Sequence, residues 1–469
     1  MKPSISRCLA LASVAAAAAG VMSAARPQYG GTLRAELEAV VSTLDPAHAA
    51  ADQKDEAARA RIVPLVFETL TVVQPEGLQP LLATAWESDA HGSRWRFRLR
   101  PNLVLHDRKL LEPWQVAESL RGAEPSWKVA PEGDAIAIDT GEPVPDLPWA
   151  LAAARYAVAV RGSGGASIGT GPFRIDHVDA SRVLLKAHEP YWRARPFVDA
   201  VQIDMGRRLD AQLTDLEGGR ADIVSIRAID SRRLGRRGLH VEASRPLELV
   251  ALVFEPHRAG DAALAWRRTI AATINRDAIC TVVLQGNGTP AQSLVPDWLS
   301  GYARVDAASV GPTLSAAAVA ALPIDQKTIV LRVDPADAVT QAIAERLAVD
   351  AREAGFVIRV QAPIGLAPRA DARLVRVAMP ATTADRAFVQ AIGRLAVRGL
   401  PPTPLPPGSM LEATYQAEQA AIDPLVVVPV VHLAELYGIG DRVGASVNGA
   451  ARPTGGWNLA DLWLQGGKP

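Results

Sequence analysis

A chain of 469 residues exceeds what one hydrophobic core fills, so two or three subdomains are expected. Apolar residues make up 49% and charged residues 21%, the balance of an ordinary globular protein and not of a disordered or fibrous one. Lys plus Arg equals Asp plus Glu at 50 each, which excludes a net field that would recruit nucleic acid or an anionic membrane.

Residues 1–25 read as a secretory signal. Lys2 and Arg7 form the basic start, Cys8 to Met22 an apolar, Ala-rich run, and Ser23-Ala24-Ala25 the small residues before cleavage. The run falls short of the roughly 20 residues that span a bilayer. Cys8 stands at its beginning, not after a small-residue box at its end, so no lipid anchor is expected. Cleavage near Ala25 would leave Cys280 as the only cysteine, which excludes an internal disulfide. Its apolar surroundings, Ala278 to Leu284, mark it as a small core residue.

Tyr29-Gly30-Gly31-Thr32-Leu33-Arg34, Ser42-Thr43-Leu44-Asp45-Pro46 and Val63 to Val73 come next, and an opening strand, a turn and a helix there are implied by the family resemblance that the later motifs complete. From Ala83 to Asp107, Trp95, Phe97 and Leu99 alternate with Arg96, Arg98 and Arg100. A period of two is that of a strand buried on one side. Asp89-Ala90-His91-Gly92 supplies the polar, Gly-containing turn before it. The same resemblance implies a helix start near Leu111-Glu112-Pro113, and a short Ala-, Pro- and Gly-rich stretch fills 122–168. Gly169-Thr170-Gly171-Pro172-Phe173 follows, then Val183-Leu184-Leu185 and Glu189-Pro190-Tyr191-Trp192-Arg193.

Two β-α-β units come next. The first has strands at 201–205 and 223–226 around a helix at 209–217, stopped by Gly218-Gly219. The second has strands at 329–333 and 356–360 around a helix at 338–353, where Val339, Ile343, Leu347 and Ala351 form an apolar stripe. Repeated units of this kind imply mixed sheets flanked by helices. Between them lie an apolar strand, Leu249 to Phe254, and two helices within Ala265–Leu284. A stiff Pro-rich loop at 401–407, a helix at 409–422, the apolar run Leu425 to Val431 and a Gly455-Gly456-Trp457 ending complete the order.

The opening strand, the "TLDP" turn, Val66-Phe67-Glu68, the 83–107 hairpin, Gly169 to Phe173, Glu189 to Arg193 and the ending together resemble the family 5 solute-binding proteins. These are the peptide- and nickel-binding receptors of bacterial ABC importers. The resemblance covers most of 29–464, with gaps at 108–168 and 362–407. It implies an α/β, two-lobed periplasmic-binding-protein-like fold (type II, cluster C) with a small third subdomain. Lobe I would combine 26–59, 160–247 and 437–469, the small subdomain 60–159, and lobe II 248–436. A monomeric, periplasmic receptor without cofactor or catalytic role is implied. It would close on a small, oligopeptide-like solute and deliver it to an inner-membrane ABC permease.

Ligand contacts are expected at Leu44, Asp45, Thr170, Gly171, Phe254, Glu255 and Trp457. The Gly171 N–H would face a carboxylate, while Phe254 and Trp457 would form apolar walls. Three departures from the family pattern stand out: Arg108 where relatives carry Gly, Glu255 for Asn, and a 371–385 segment whose only acid after the strand is Asp385. A buried peptide ammonium without a carboxylate would cost several kcal/mol, so a less charged solute, or a degenerate receptor with altered use, fits as well.

Two rival readings remain. Gly165-Ala166-Ser167-Ile168-Gly169 satisfies the G-x-S-x-G serine-hydrolase pattern, although strand-like sequence follows where a helix should begin. A non-transporting accessory or sensor protein of the same fold agrees with the shortened middle. The eight histidines are dispersed and give no metal-ligand spacing. His432 is expected to be packed.

Overall fold

The computed structural model describes residues 27–465 except 75, 163–164, 256–260, 306–312, 363–369, 398–404, 406–408 and 445–448. The signal segment, His257 and most of the proline tract lie outside the described residues.

The chain opens with β1 (Thr32–Glu36) and α1 (Gln53–Val66). Asp52 caps α1 by accepting a hydrogen bond from the Asp55 N–H at 2.9 Å. The helix expected within Val63 to Val73 therefore starts ten residues earlier and ends at Val66. Thr71–Gln74 is instead a strand. Next comes a four-stranded antiparallel sheet built from β2 (Ala83–Ser88), β3 (Arg94–Leu99), β4 (Lys128–Glu132) and β5 (Ala135–Asp139), in the order β2-β3-β5-β4. Trp95, Phe97 and Leu99 point into its core as the alternation predicted, and Arg96 and Arg98 point away. Burying Phe97 completely stabilises the fold by roughly 2–3 kcal/mol.

The main sheet has eleven strands. In chain order its further members include β6 (Phe173–Val178), β7 (Arg182–Ala187), β8 (Ala200–Asp204), β9 (Ile223–Ile226) and β10 (His240–Phe254). They continue with β11 (Thr328–Arg332), β12 (Val357–Gln361), β13 (Ala372–Ala378) and β14 (Val427–Ile439). The spatial order is β6-β7-β8-β1-β9-β14-β10-β13-β11-β12, with the short strand Gly288–Pro290 beside β14. Both expected β-α-β units are present. The first crosses over β1, which lies parallel between β8 and β9, whereas β11 and β12 are direct parallel neighbours.

β10 and β14 carry the chain from one half of this sheet to the other. They pair from His240–Ile439 to Val253–Val427, with register shifts between Ala243 and Pro246, Pro246 and Glu248, and Val250 and Ala251. The sequence showed only their apolar stretches at 249–254 and 425–431. The remaining parts of each strand cross between cores, where no apolar alternation is required. One core joins β1, α1, β6 to β8 and Trp457 to Leu464. A second fills the small subdomain from Leu70 to Val160. Two more cover opposite faces of the β10–β13 half, and the larger of these runs on to Leu213 and Val224 of the first half.

Candidate functional site

Three separated motifs converge on one carboxylate. Glu68, just beyond α1, is buried and accepts hydrogen bonds from Thr170 Oγ1 at 2.8 Å, Tyr191 Oη at 2.8 Å and Trp192 Nε1 at 3.0 Å. Burial raises its pKa against the pull of those donors. Beside it, His106 and His188 both bond the Gly171 carbonyl at 3.1 Å, their rings 4.8 Å apart and edge to face. The Gly169 N–H donates to His106 Nδ1 at 3.2 Å, so His106 is a neutral ring that donates from Nε2. These contacts join the small subdomain to the first half of the main sheet.

A second cluster lies at the crossing of β10 and β14. Midway along α1, Arg61 Nη2 is 3.1 Å from Glu435 Oε1, and its Nε donates to Tyr437 Oη at 3.2 Å. The Tyr437 hydroxyl donates to Glu435, while the Gly456 N–H reaches the same hydroxyl at 3.2 Å. Only glycine admits this approach, because a Cβ on Gly456 (φ +84°) would stand 2.5 Å from the Ala60 carbonyl. Across the crossing, Glu248 on β10 accepts from Arg376 Nε on β13 at 2.7 Å. Arg376 Nη1 also lies 3.5 Å from Asp337, the cap of the 338–353 helix.

The charged side chains of this cluster keep partial contact with solvent. Arg61 and Glu435 each leave 14% of the side chain exposed, Glu248 18% and Arg376 34%. Burial works against the Arg61 and Arg376 cations, but their carboxylate neighbours more than offset it and raise both pKa values. Burial lifts Glu248 above the usual carboxylate range. The groups gathered here are paired charges and hydrogen-bond donors, with aromatic rings packed beside them.

The seven expected contacts are not brought together. Leu44 is in the first core, and the Asp45 carboxylate closes its own turn on the Ala47 N–H at 3.1 Å. Thr170 is bonded to Glu68. The Gly171 N–H was expected to face a solute carboxylate, but it donates to the Val66 carbonyl at 3.0 Å. Phe254, expected as a cleft wall, is buried 5.6 Å from the Trp266 ring inside the far core. Glu255 pairs with Arg373 at 3.3 Å. Trp457 alone adjoins the second cluster, with its ring 6.5 Å from Tyr437; it is fully buried and its indole nitrogen has no partner among the described residues. Sequence reasoning missed Arg61, Glu435, Tyr437, Glu248 and Arg376. The available signal was a lone charge beside apolar residues, as at Glu435 after the apolar run of β14 and at Arg61 before Ile62 and Val63.

Ser167 lies on a two-residue strand paired with Val160–Arg161, not on the strand–turn–helix elbow that a nucleophilic serine needs. His432 is packed as expected, bonded to the Leu294 carbonyl at 3.2 Å, and burial lowers its pKa to about 4. Among the described residues no group of three His, Cys, Asp or Glu is placed to hold a metal ion, and no helix is long and apolar enough to cross a membrane.

Similarity to known proteins agrees with this architecture. The Bacillus subtilis protein YhjP is 28% identical over 177 residues, 34% of this chain and 30% of its own length. The dipeptide-binding protein of Escherichia coli is 24% identical over 138 residues, 29% of this chain and 26% of its own length. The aligned segments thus span less than a third of these curated relatives. Among solved structures, the substrate-binding protein CtaP of Listeria monocytogenes superposes with a TM-score of 0.76 at 14% identity, covering 93% of this chain and 100% of that one. NikA of Brucella suis, solved with Fe(III)-EDTA, gives 0.72 at 17% identity, with 93% and 100% covered. These likenesses show the two-lobed α/β fold of substrate-binding proteins. The profile of the bacterial extracellular solute-binding proteins, family 5 Middle, matches residues 77–385, and the chain belongs to that family.

Proposed function

We propose that this protein is the exported, periplasmic receptor of an ABC importer, which captures a small solute between its lobes and presents it to an inner-membrane permease. The observation that carries this reading is the cluster of Arg61, Glu435, Tyr437, Glu248 and Arg376. These charges stand in the middle of the molecule, yet solvent reaches them, at the place where two strands with shifted register join the halves. Tyr437, Trp457 and Gly456 are buried and brace Arg61 and Glu435 on the lobe I side. Solute would favour the closed form through contacts made with both lobes at once.

Lobe I takes residues 26–59, 160–247 and 437–469, and lobe II 248–436. Residues 60–66 go with lobe I and not with the small subdomain, since α1 is one continuous helix packed in the first core. The signal segment would be cleaved near Ala25, leaving a monomer. The protein is read as a binder and not an enzyme, because Ser167, the one nucleophile its sequence offered, lacks the elbow. The relative from E. coli is named for dipeptides and the NikA structure holds a metal chelate, so peptides and chelates are the first solutes to try. A sensor of the same fold is favoured by the internal pairing of Arg61 with Glu435 and Arg376 with Glu248, which leaves those charges already satisfied.

Titration of the purified protein with dipeptides, oligopeptides, nickel chelates and haem, followed by tryptophan fluorescence, tests the reading. A saturable response that Arg61→Gln weakens supports it. No response to any of them removes the receptor function while leaving the fold in place.

A further inference from the structure

Four arginines fall within the run Arg232-Arg233-Leu234-Gly235-Arg236-Arg237, on and just past the short helix Ser231–Arg236 between β9 and β10. Leu234 is fully buried and anchors this helix to the core, while all four arginines are exposed. At about 3.6 residues per turn, the four side chains fan over roughly 140° of the helix surface, on the side away from Leu234. The Arg232 N–H donates to Gln285 Oε1 at 2.8 Å, and its Nη2 donates to the Thr281 carbonyl at 3.3 Å. These bonds set the helix beside the turn Ile279–Val283, where Val282 is 62% exposed.

The acids around the helix are few and mostly engaged. Glu217 accepts from Arg233 Nε at 2.6 Å and Nη2 at 2.8 Å, and Arg237 Nε lies 3.6 Å from it. Asp230, at the helix start, is held by Arg227 Nε at 2.6 Å, and Asp210 takes the same guanidinium at 2.8 Å. Asp277 stands one turn before Thr281, whose hydroxyl donates to the Asp277 carbonyl at 2.8 Å. Arg232 and Arg236 have no carboxylate within ion-pair distance among the described residues. Set against Glu217 and Asp277, the four arginines leave a surplus of two positive charges. Arg232 and Arg236 are one helical turn apart, as are Arg233 and Arg237, a spacing at which like charges repel. The chain as a whole is neutral, so this surplus exerts no long-range pull and acts only at contact.

We propose that this helix, with Val282 beside it, is a contact surface for an anionic phospholipid bilayer. The planar fork of donors on each guanidinium matches phosphate oxygens, and four of them fanned over an outward-facing surface meet a plane of phosphates better than a single anion. Headgroups of a fluid bilayer rearrange laterally beneath fixed arginines, and the exposed valine adds apolar contact at headgroup depth. Two surplus charges and one valine give a weak, reversible attachment. The surface requires neither solute nor lobe closure, so it stands or falls separately from the receptor reading.

The full chain without its signal segment is sedimented with vesicles of phosphatidylcholine alone and of an equal mixture of phosphatidylcholine and phosphatidylglycerol, at low salt. Binding to the mixed vesicles only is expected, about fivefold weaker in Arg236→Gln and on the order of twentyfold weaker when Arg232→Gln is added. Raising the ionic strength from about 0.01 M to about 0.15 M should release most of the protein, as the screening length falls from about 30 to about 8 Å. Arg98→Gln serves as the control and should bind as the parent does, since Arg98 lies in the small subdomain and is paired with Asp134 at 3.7 Å. Equal sedimentation with both vesicles, or arginine variants that bind as the parent does, overturns the proposal. Binding of polyglutamate without binding of the mixed vesicles also overturns it, and assigns the surface to an acidic protein segment. Should the double variant fail to fold, Arg236→Gln decides alone, because Arg236 is exposed and its replacement leaves the core untouched. Solute titrations without vesicles read the receptor function independently of this result.

Discussion

At the scale of single residues, burial sets opposite pH responses in acids and histidines. Glu418 is fully buried and accepts hydrogen bonds from Tyr302 Oη at 2.8 Å, the Val295 N–H at 3.2 Å and the Leu294 N–H. Burial outweighs these bonds and raises its pKa to about 7, and Glu36, beside Asp215, reaches about 7 as well. His106 and His432 are lowered by burial to about 4. A raised carboxyl keeps its proton in the folded state where the unfolded chain has lost it. Its contribution is full below about 4.5 and is lost as pH rises towards about 7. A lowered histidine contributes fully above about 6.5 and loses that contribution as pH falls towards about 4. Between these limits the two effects oppose. Glu418→Gln removes a falling component, so its stability in urea should climb more steeply with pH than the parent's. The difference between the two slopes should approach about 1.4 kcal/mol per pH unit between roughly pH 5 and 6.5. A pH-independent difference between variant and parent would show that Glu418 is ionised throughout.

At the scale of elements, the end of α1 is the joint on which the small subdomain is hung. A Cβ at Gly171 would meet the Val66 carbonyl oxygen at 2.6 Å and the Leu65 carbonyl oxygen at 2.8 Å, both backbone atoms that cannot swing aside. Gly171→Ala is therefore expected to cost about 2–3 kcal/mol through displacement of the helix end, and to loosen both histidines from the Gly171 carbonyl. Thermal unfolding checks it, and an unchanged Tm would mean that the helix end yields freely. The motif Gly169 to Phe173 was legible in the sequence, but its role was not. Its glycines look like donors to a ligand until the structure shows a helix packed against them.

At the scale of the molecule, the lobes are held together by a clasp. The helix α2 (Ala384–Leu395) places Arg394 against Glu56 near the start of α1, and Gln53 accepts the Ala378 N–H at 3.2 Å. Thr382, just before α2, donates to the Trp149 carbonyl of the small subdomain at 2.6 Å. One segment thus engages both other bodies. Glu56 and Arg394 are only partly buried, so Arg394→Gln should shift the open–closed balance by roughly 1 kcal/mol, about fivefold. Small-angle scattering should record a larger radius of gyration in this variant without solute. An unchanged radius would place the weight of closure elsewhere.

By itself the sequence determined the family and those local elements that carry a strong hydrophobic period. Alternation at Trp95, Phe97 and Leu99 requires a one-sided strand, the stripe at Val339, Ile343, Leu347 and Ala351 requires a packed helix, and both reflect short-range periodicity. The tertiary structure alone decided which polar groups meet. Arg61 and Glu435 lie far apart in the chain, and the strands that bring them together cross between cores where hydrophobic periodicity lapses. The same lapse concealed the length of β10 and β14. Charge pairing over such separations is fixed by topology, which no local pattern of residues encodes.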